Sequence, residues 1–412
     1  FGFSSITAVG EITIAGALAI NGHGSAVPAV NESPLPQQSY GSLSNRVLAL
    51  NAVVWNAAEQ RYQLREFDRT EPDIAALLTH LGRAFITEVT LALEPNHNLR
   101  CVSHVDIPAS EMFAAPGGGG RDIASFLDSD GRIESIWYPY TDNPWLKVWS
   151  VSPEKPLLSR EVSGPYNYPF SDNIPEELTD LSQQLVTGNP QATPLFGQAV
   201  YAASVAGLTA TLSFDLWGSA KNTLLFIKPS TIRIHELSYV ALTRRDQVQR
   251  VLHEFTQEYL RRLEAYREQG RYPVNMPVEY RVTGLDQPAD IGLPAAQPVT
   301  LSALHPRDDR PDWDTAVWLS LLTMPGTPDS FPFFREMEQW LYAHFDGEYA
   351  AIRPEWSKGW AYTDAAAWAD ADTLGERIPA THRAGRQGAD WDEAVTSFAR
   401  LDPRGVFQND FL

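Results

Sequence analysis

The strongest chemical signal in this chain sits in one short strand-like run, NMPVEYRVTG, which carries Glu279 and Arg281. Along a strand, residues i and i+2 project to the same face. Glu279 and Arg281 therefore point together, with Cβ atoms about 6–7 Å apart. Pro277, Val278 and Val282 around them predict partial burial. A solvated ion pair is the commoner fate of such residues. A buried pair must be matched by its neighbours or serve a function, because an unmatched buried charge is costly. Lys358, in RPEWSKG, comes second. Between Trp356 and Trp360 it could present a point charge in a dry site, or only lay its stem over an aromatic patch. Glu134, in RIESIWYP, is a carboxylate on an apolar strand, and strand edges hold many such residues without using them. Glu111 reads equally as a first-turn helix carboxylate. No Ser-His-Asp order can be argued from spacing.

A second kind of signal is the run of small residues in ITIAGALAINGHGSAVP, 12–28. Glycine lets backbone come close to a ligand, and the N–H groups of such a turn can hold an anion or a ring carbonyl. Asn21, Gly22, His23, Gly24 and Ser25 are the candidate contacts. The plain alternative is a tight turn between a helix and a strand. The run is neither a dinucleotide fingerprint nor a phosphate loop.

Composition narrows the classes. Of 412 residues, 43% are hydrophobic, enough for two or three domains with sizeable cores. A formal charge of −19 argues against nucleic acid, whose phosphates need a basic face. One cysteine, Cys101, allows no intrachain disulfide and no thiolate cluster. The nine histidines show no HExxH spacing, so no metal site is expected. No apolar run approaches the ~18 residues of a membrane span.

These residues need elements to position them. Residues 41–56 alternate as a hairpin or strand pair would. Residues 71–82 read as a short amphipathic helix with Ile74, Leu77, Leu78 and Leu81 on one face, and FITEVTLALEP as a strand, giving a βαβ-like alternation. Further strands are expected at RCVSHVDIP, RIESIWYPYTD, VEYRVTG and TAVWLSLLTMP, with a short helix at ASEMFAAP. GGGGR at 117–121 is a linker. Residues 152–200 read as long surface excursions. The clearest helix spans about 244–269, with Val248, Val251, Leu252, Phe255, Tyr259, Leu263 and Tyr266 at core spacing and Gly270 as its stop. A second covers 334–345.

Taken together, TIAGALAINGHGSAVP, YGSLSNRVLAL, SEMFAAPGGGGR, NPWLKVWSVSP, NYPFSDNIPEELTDL, NMPVEYRVTGLD, IRPEWSKGW and LDPRGVFQNDFL give a sequence that resembles the bacterial class II cholesterol oxidases, flavoenzymes of the vanillyl-alcohol oxidase superfamily. The likeness runs over nearly the whole chain. It implies an α+β fold: a flavin-binding domain into which a substrate-binding cap, an antiparallel sheet flanked by helices, is inserted. On that plan residues 1–98 are the C-terminal half of the FAD domain, 99–348 the cap, and 349–412 the return to the FAD domain and active site.

The resemblance also implies FAD joined covalently to a histidine in an R-G-x-x-H-N-W-S-P stretch. These residues lack that stretch, so the attachment point is expected upstream of residue 1. Residues 1–412 alone are then expected to bind FAD weakly or not at all. Glu279 and Arg281 match the family's active-site Glu-x-Arg pair, and Lys358 a lysine beside the flavin pyrimidine ring. Phe407 and Asn409 match a closing segment next to the flavin, and Val89 is counted with the cofactor contacts. For a further carboxylate near the substrate hydroxyl, Glu134 is favoured and Glu111 is second. Ser320 stands where a larger polar residue is expected. The implied reaction is oxidation of a sterol 3β-hydroxyl by O2, with isomerisation to the 4-en-3-one and release of hydrogen peroxide. A monomer, secreted or periplasmic, touching membranes transiently to extract sterol, completes the expectation. A sugar-alcohol or aldonolactone oxidase, or a flavin-free binding fragment, are the competing readings. The 11% aromatic content favours the apolar walls of a sterol pocket.

Overall fold

Runs rich in Val, Ile, Leu and Trp build two sheets in the computed structural model, which describes residues 1–168, 176–228, 233–385 and 388–412. The smaller sheet joins β1 (Val47–Asn56), β2 (Arg61–Asp68) and β3 (Phe85–Leu91) in the antiparallel order β2-β1-β3. The larger contains β4 (Asn98–His104), β5 (Arg132–Trp137), β6 (Trp145–Val151), β7 (Arg160–Glu161), β8 (Asp215–Ser219), β9 (His235–Thr243), β10 (Val278–Gly284), β11 (Thr315–Thr323) and β12 (Ala350–Pro354). Its order is β12-β9-β11-β10-β5-β6-β4-β8-β7. All its pairings are antiparallel except the short β7–β8 contact. An antiparallel sheet can keep one face for a core and leave the other for different work.

Two helices take the core face. The one at Val248–Glu268 buries Val251, Leu252, Phe255, Tyr259, Leu263 and Tyr266, the spacing read from the sequence. The one at Ser330–His344 buries Phe333, Phe334, Met337 and Leu341. It starts four residues earlier than its apolar periodicity suggests, because Pro332 is tolerated in a first turn. The Tyr280 and Thr256 hydroxyls bond at 2.9 Å, and the Tyr239 hydroxyl donates to Glu338 at 2.6 Å, tying β10 and β9 to these helices. On β10, Val278, Tyr280 and Val282 are buried on this side. Pleating then sends Glu279 and Arg281 to the other face.

Three expectations are corrected. The front of the chain holds no βαβ unit: β1 forms a hairpin with β2, a strand whose polar, exposed pattern hides it, and the predicted 71–82 helix is one turn, Ile74–Leu77. Leu81 has a φ of +48° and Gly82 one of +85°, so the backbone cannot stay helical there. Second, 41–56 is not a strand pair but a 3₁₀ turn followed by the single strand β1. Third, 152–200 is not all surface loop. Helices Glu176–Val186 and Thr193–Ala210 lie in and beyond it, the second built from Ala, Val, Leu and Gln with Pro194 in its first turn. Among the described residues, Pro153, Pro156, Pro165 and Asn167 precede the first helix, and Asn189 and Pro190 separate the two. Residues 169–175 of the NYPFSDNIPEELTDL motif lie outside the described residues.

Candidate active site

On the face away from the helices, strand register builds a row of charge. Arg281 on β10 lies opposite Glu134 on β5, and Glu134 lies opposite Lys147 on β6. Directly paired residues share a face and approach within contact distance. Arg281 Nε donates to Glu134 Oε1 at 2.8 Å, and Nη2 to Glu279 Oε2 at 2.6 Å. Lys147 Nζ donates to Glu134 Oε2 at 2.8 Å and lies 4.0 Å from the Trp145 ring centroid. Both Glu134 and Lys147 have side chains only 1% exposed, whereas Arg281 and Glu279 reach 11% and 13%. Burial pushes the Glu134 carboxyl up, but Lys147 and Arg281 outweigh it and hold the group below the usual glutamate range. Burial works against the Arg281 charge too, yet Glu279 and Glu134 keep that guanidinium more firmly protonated than usual.

A second cluster lies beside the row, across β11 and β9. Ser320 pairs with Glu279 in register, and Ser238 with Ser320, their hydroxyls 2.7 Å apart. Ser238 Oγ donates to Glu355 Oε2 at 2.6 Å, and Ser357 Oγ to Glu355 Oε1 at 3.0 Å. His23 Nε2 stands 3.3 Å from Glu355 Oε1, its ring stacked on Trp318 at 3.4 Å between centroids. Lys358 Nζ donates to Glu236 Oε2 at 2.7 Å, while buried Glu236 Oε1 has no hydrogen-bond partner. Burial, with Glu355 and Glu279 nearby, pushes the Glu236 carboxyl up to about 7 despite Lys358. Burial pushes Glu355 up as well, but the His23 hydrogen bond and charge, with Lys358, carry it well below the ordinary range. Burial disfavours the Lys358 charge, and Glu236 and Glu355 more than restore it.

The structure thus joins Glu134, Glu279 and Arg281 in one chain of ion pairs and brings Lys358 and His23 to the same sheet face. The rest of the small-residue segment braces this face. Ser25 Oγ donates to the Ile133 carbonyl and accepts from Val282 N at 3.3 Å, and Ala26 forms a parallel bridge with Thr283. Asn21, 2% exposed with φ +59°, accepts from Ser302 Oγ and Ala303 N, each at 3.0 Å. A Cβ on Gly22 would meet Thr7 at 2.9 Å, and one on Gly24 would meet Ser5 Oγ at 2.5 Å. Both glycines therefore serve close packing of the chain on itself.

Other candidates lie apart. Val89 pairs with Leu50 in the small sheet. Phe407 packs on Tyr62 and Phe85 there, and Asn409 clasps Leu81 O at 2.8 Å and the amides of Phe411 and Leu412. Glu111 bonds Arg121 at the surface. Lys147, Glu236, Ser238 and Glu355 were not singled out from sequence. The signal for Lys147 is a lysine two residues from a tryptophan on either side in WLKVW, and Glu355 lies three residues before Lys358.

The family model described as "Cholesterol oxidase, substrate-binding" matches residues 98–412. A solvent-stable cholesterol oxidase is 55% identical with a TM-score of 0.97, covering 99% of this chain and 76% of its own. Cholesterol oxidase from Brevibacterium sterolicum is 46% identical, TM-score 0.97, covering 100% of this chain and 76% of its own. A glycopeptide hexose oxidase, 12% identical over 99% of this chain and 76% of its own with a TM-score of 0.50, shares the fold alone. No match was found among curated proteins. The charged row on β5, β6 and β10 lies inside the matched span, and the chain belongs to the cholesterol oxidase substrate-binding family.

Proposed function

We propose that this chain oxidises the 3β-hydroxyl of cholesterol and related sterols with FAD and O2, isomerises the product to the conjugated 4-en-3-one, and releases hydrogen peroxide. One observation carries the reading: a guanidinium held between two carboxylates, with Nη1 unpartnered among the described residues, on a sheet face shielded from bulk water. Donors fixed before the reaction stabilise a developing oxyanion far better than water can. Arg281 Nη1 is placed to do this for the sterol oxygen. Glu134 has both oxygens engaged and is 1% exposed, so we assign it to holding Arg281 and not to carrying protons.

Proton work then falls to the carboxylates with a free oxygen. Glu236 Oε1 is unpartnered and burial pushes its group up to about 7, which suits it to accepting the hydroxyl proton near neutrality. Glu279 Oε1, also unpartnered among the described residues, is assigned to take a proton from C4 and return it to C6. Ser238 joins Ser320, the register partner of Glu279, to Glu355 by hydrogen bonds.

The residues present fit a flavin ring. Lys358 spends one N–H on Glu236 and is 25% exposed, so it can meet a ring carbonyl and offset negative charge. The chemistry FAD supplies when bound is acceptance of the C3 hydride and its discharge onto O2 as hydrogen peroxide. We place covalent attachment on a histidine outside these residues, since none of the nine lies in the R-G-x-x-H-N-W-S-P context. For drawing sterol from a bilayer we assign the β6–β7 loop, whose Leu157 and Leu158 are 95% and 89% exposed. The test is direct. The FAD-loaded enzyme given cholesterol should release peroxide and a product absorbing at the enone band. Peroxide without sterol oxidation, or a polyol as the better substrate, would overturn the reading.

A further inference from the structure

Lys358 is carried on a strap that wraps the edge of the large sheet. β12 ends at Pro354, and the chain then turns back along β9. Gly359 N donates to Glu236 O at 2.8 Å, and Ser238 N to Gly359 O at 3.1 Å. A Cβ on Gly359 would stand 2.2 Å from both Glu236 O and the Tyr362 hydroxyl, so the strap is pressed flat on the strand. Past this point it crosses to the helix-covered face. There Ala361 takes a φ of +53°, a conformation unfavourable for a side chain bearing a Cβ. The Tyr362 hydroxyl reaches back to Glu236 O at 3.0 Å.

What holds the crossing is a carboxylate on the 330–344 helix. Glu338, 2% exposed, accepts from Ala361 N at 2.6 Å, from Tyr362 N at 3.0 Å and from the Tyr239 hydroxyl at 2.6 Å. No lysine or arginine is bonded to it among the described residues. A buried carboxylate without a cation is costly, and here it serves two consecutive backbone amides of a strained turn. A neutral amide offers one oxygen and cannot serve all three donors. We propose that Glu338 is a positioning residue, which fixes Lys358 and Glu355 from the opposite face of the sheet by pinning the 359–362 turn. The proposal rests on the reading of Lys358 given above.

The test uses the complete FAD-loaded enzyme as Glu338→Gln, Lys358→Met and the double variant. Two quantities are read: hydrogen exchange of the Ala361 and Tyr362 amides, and the rate of flavin reduction by cholesterol. In Glu338→Gln those amides should exchange at least about 10-fold faster while β9 and β11 keep their protection. Reduction should slow by about 10-fold, and adding the change to Lys358→Met should cost less than about 2-fold more. Exchange that quickens throughout β9 and β11 would mean general loosening and would overturn the proposal. So would effects that multiply in the double variant. Lys358→Met reducing at the native rate would sink the reading of Lys358 itself, and that failure shows in the single variant. Should Glu338→Gln not fold, Glu338→Asp, which keeps both oxygens but shortens their reach, gives the same readings.

Discussion

Two ionic clusters share one sheet face and are balanced differently. In the row on β5, β6 and β10, two cations, Lys147 and Arg281, meet two carboxylates, Glu134 and Glu279. At the β9 edge one lysine, Lys358, stands near two carboxylates, Glu236 and Glu355, with His23 on the second. Balance decides which carboxylate holds a proton. Glu134 is deeply buried yet held low because both its oxygens face cations. Glu236 has one cation and two acidic neighbours, and burial carries it up to about 7. The same side chain thus gives up its proton readily in one place and keeps it up to near neutrality in the other.

The largest effect should come from unbalancing the row. Lys147→Met leaves Glu134 buried with one cation, and breaking such a pair typically costs about 3–5 kcal/mol. Urea unfolding of the holoenzyme at neutral pH measures it, and adding Glu134→Leu should recover most of the loss. A single-variant loss under about 1 kcal/mol would mean that Glu134 does not need its second cation.

On the proposed reading, Arg281→Ala removes the oxyanion donor. Flavin reduction by cholesterol should fall by about 10²–10³-fold while sterol binding changes little, because the interaction grows in the transition state. Stopped-flow reduction rates within about threefold of native would make Arg281 a structural residue only.

Protonation sharpens the contrast, since the two carboxylates should show opposite slopes. The folded-state pKa of Glu236 is raised above its ordinary 4.5, so its contribution to stability is full below 4.5 and is lost as pH rises to about 7. Glu236→Gln should therefore gain on the native enzyme by about 3 kcal/mol across that window. Glu134 is depressed, so its contribution is present above 4.5 and is lost as pH falls through its lower folded value. Glu134→Gln should therefore lose ground on the native enzyme as pH rises towards 4.5 and keep a constant deficit above it. Thermal unfolding from about pH 3 to about pH 8 reads both windows, and a Glu236→Gln variant that tracks the native enzyme between 4.5 and about 7 would refute the difference in balance.

The smallest expected effect is on product identity. Glu279→Gln should slow isomerisation by about 10²-fold and release part of the product as unconjugated cholest-5-en-3-one, with oxidation continuing. If only conjugated enone leaves that variant, the isomerising base lies elsewhere on this face.

Local sequence determined the parts of this picture that follow from backbone period. Alternation in VEYRVTG put Glu279 and Arg281 on one face, and helical spacing placed the 248–268 core helix, because both depend on fixed periods of the backbone. The motifs also pointed to a family that the matched span and close structures bear out. What local pattern could not supply was partnership across strands. Arg281 lies 147 residues from Glu134, and the two meet with Lys147 only through the β6-β5-β10 register. Glu236 and Glu355 acquire opposite proton affinities from burial and neighbours, neither of which is written in HELSYV or RPEWSKG. Even β2 escaped notice, since an exposed edge strand has no apolar face to announce it. Which residues are acidic, basic or apolar is a property of the chain; which of them keep their charge was decided by the sheet that stacked them together away from water.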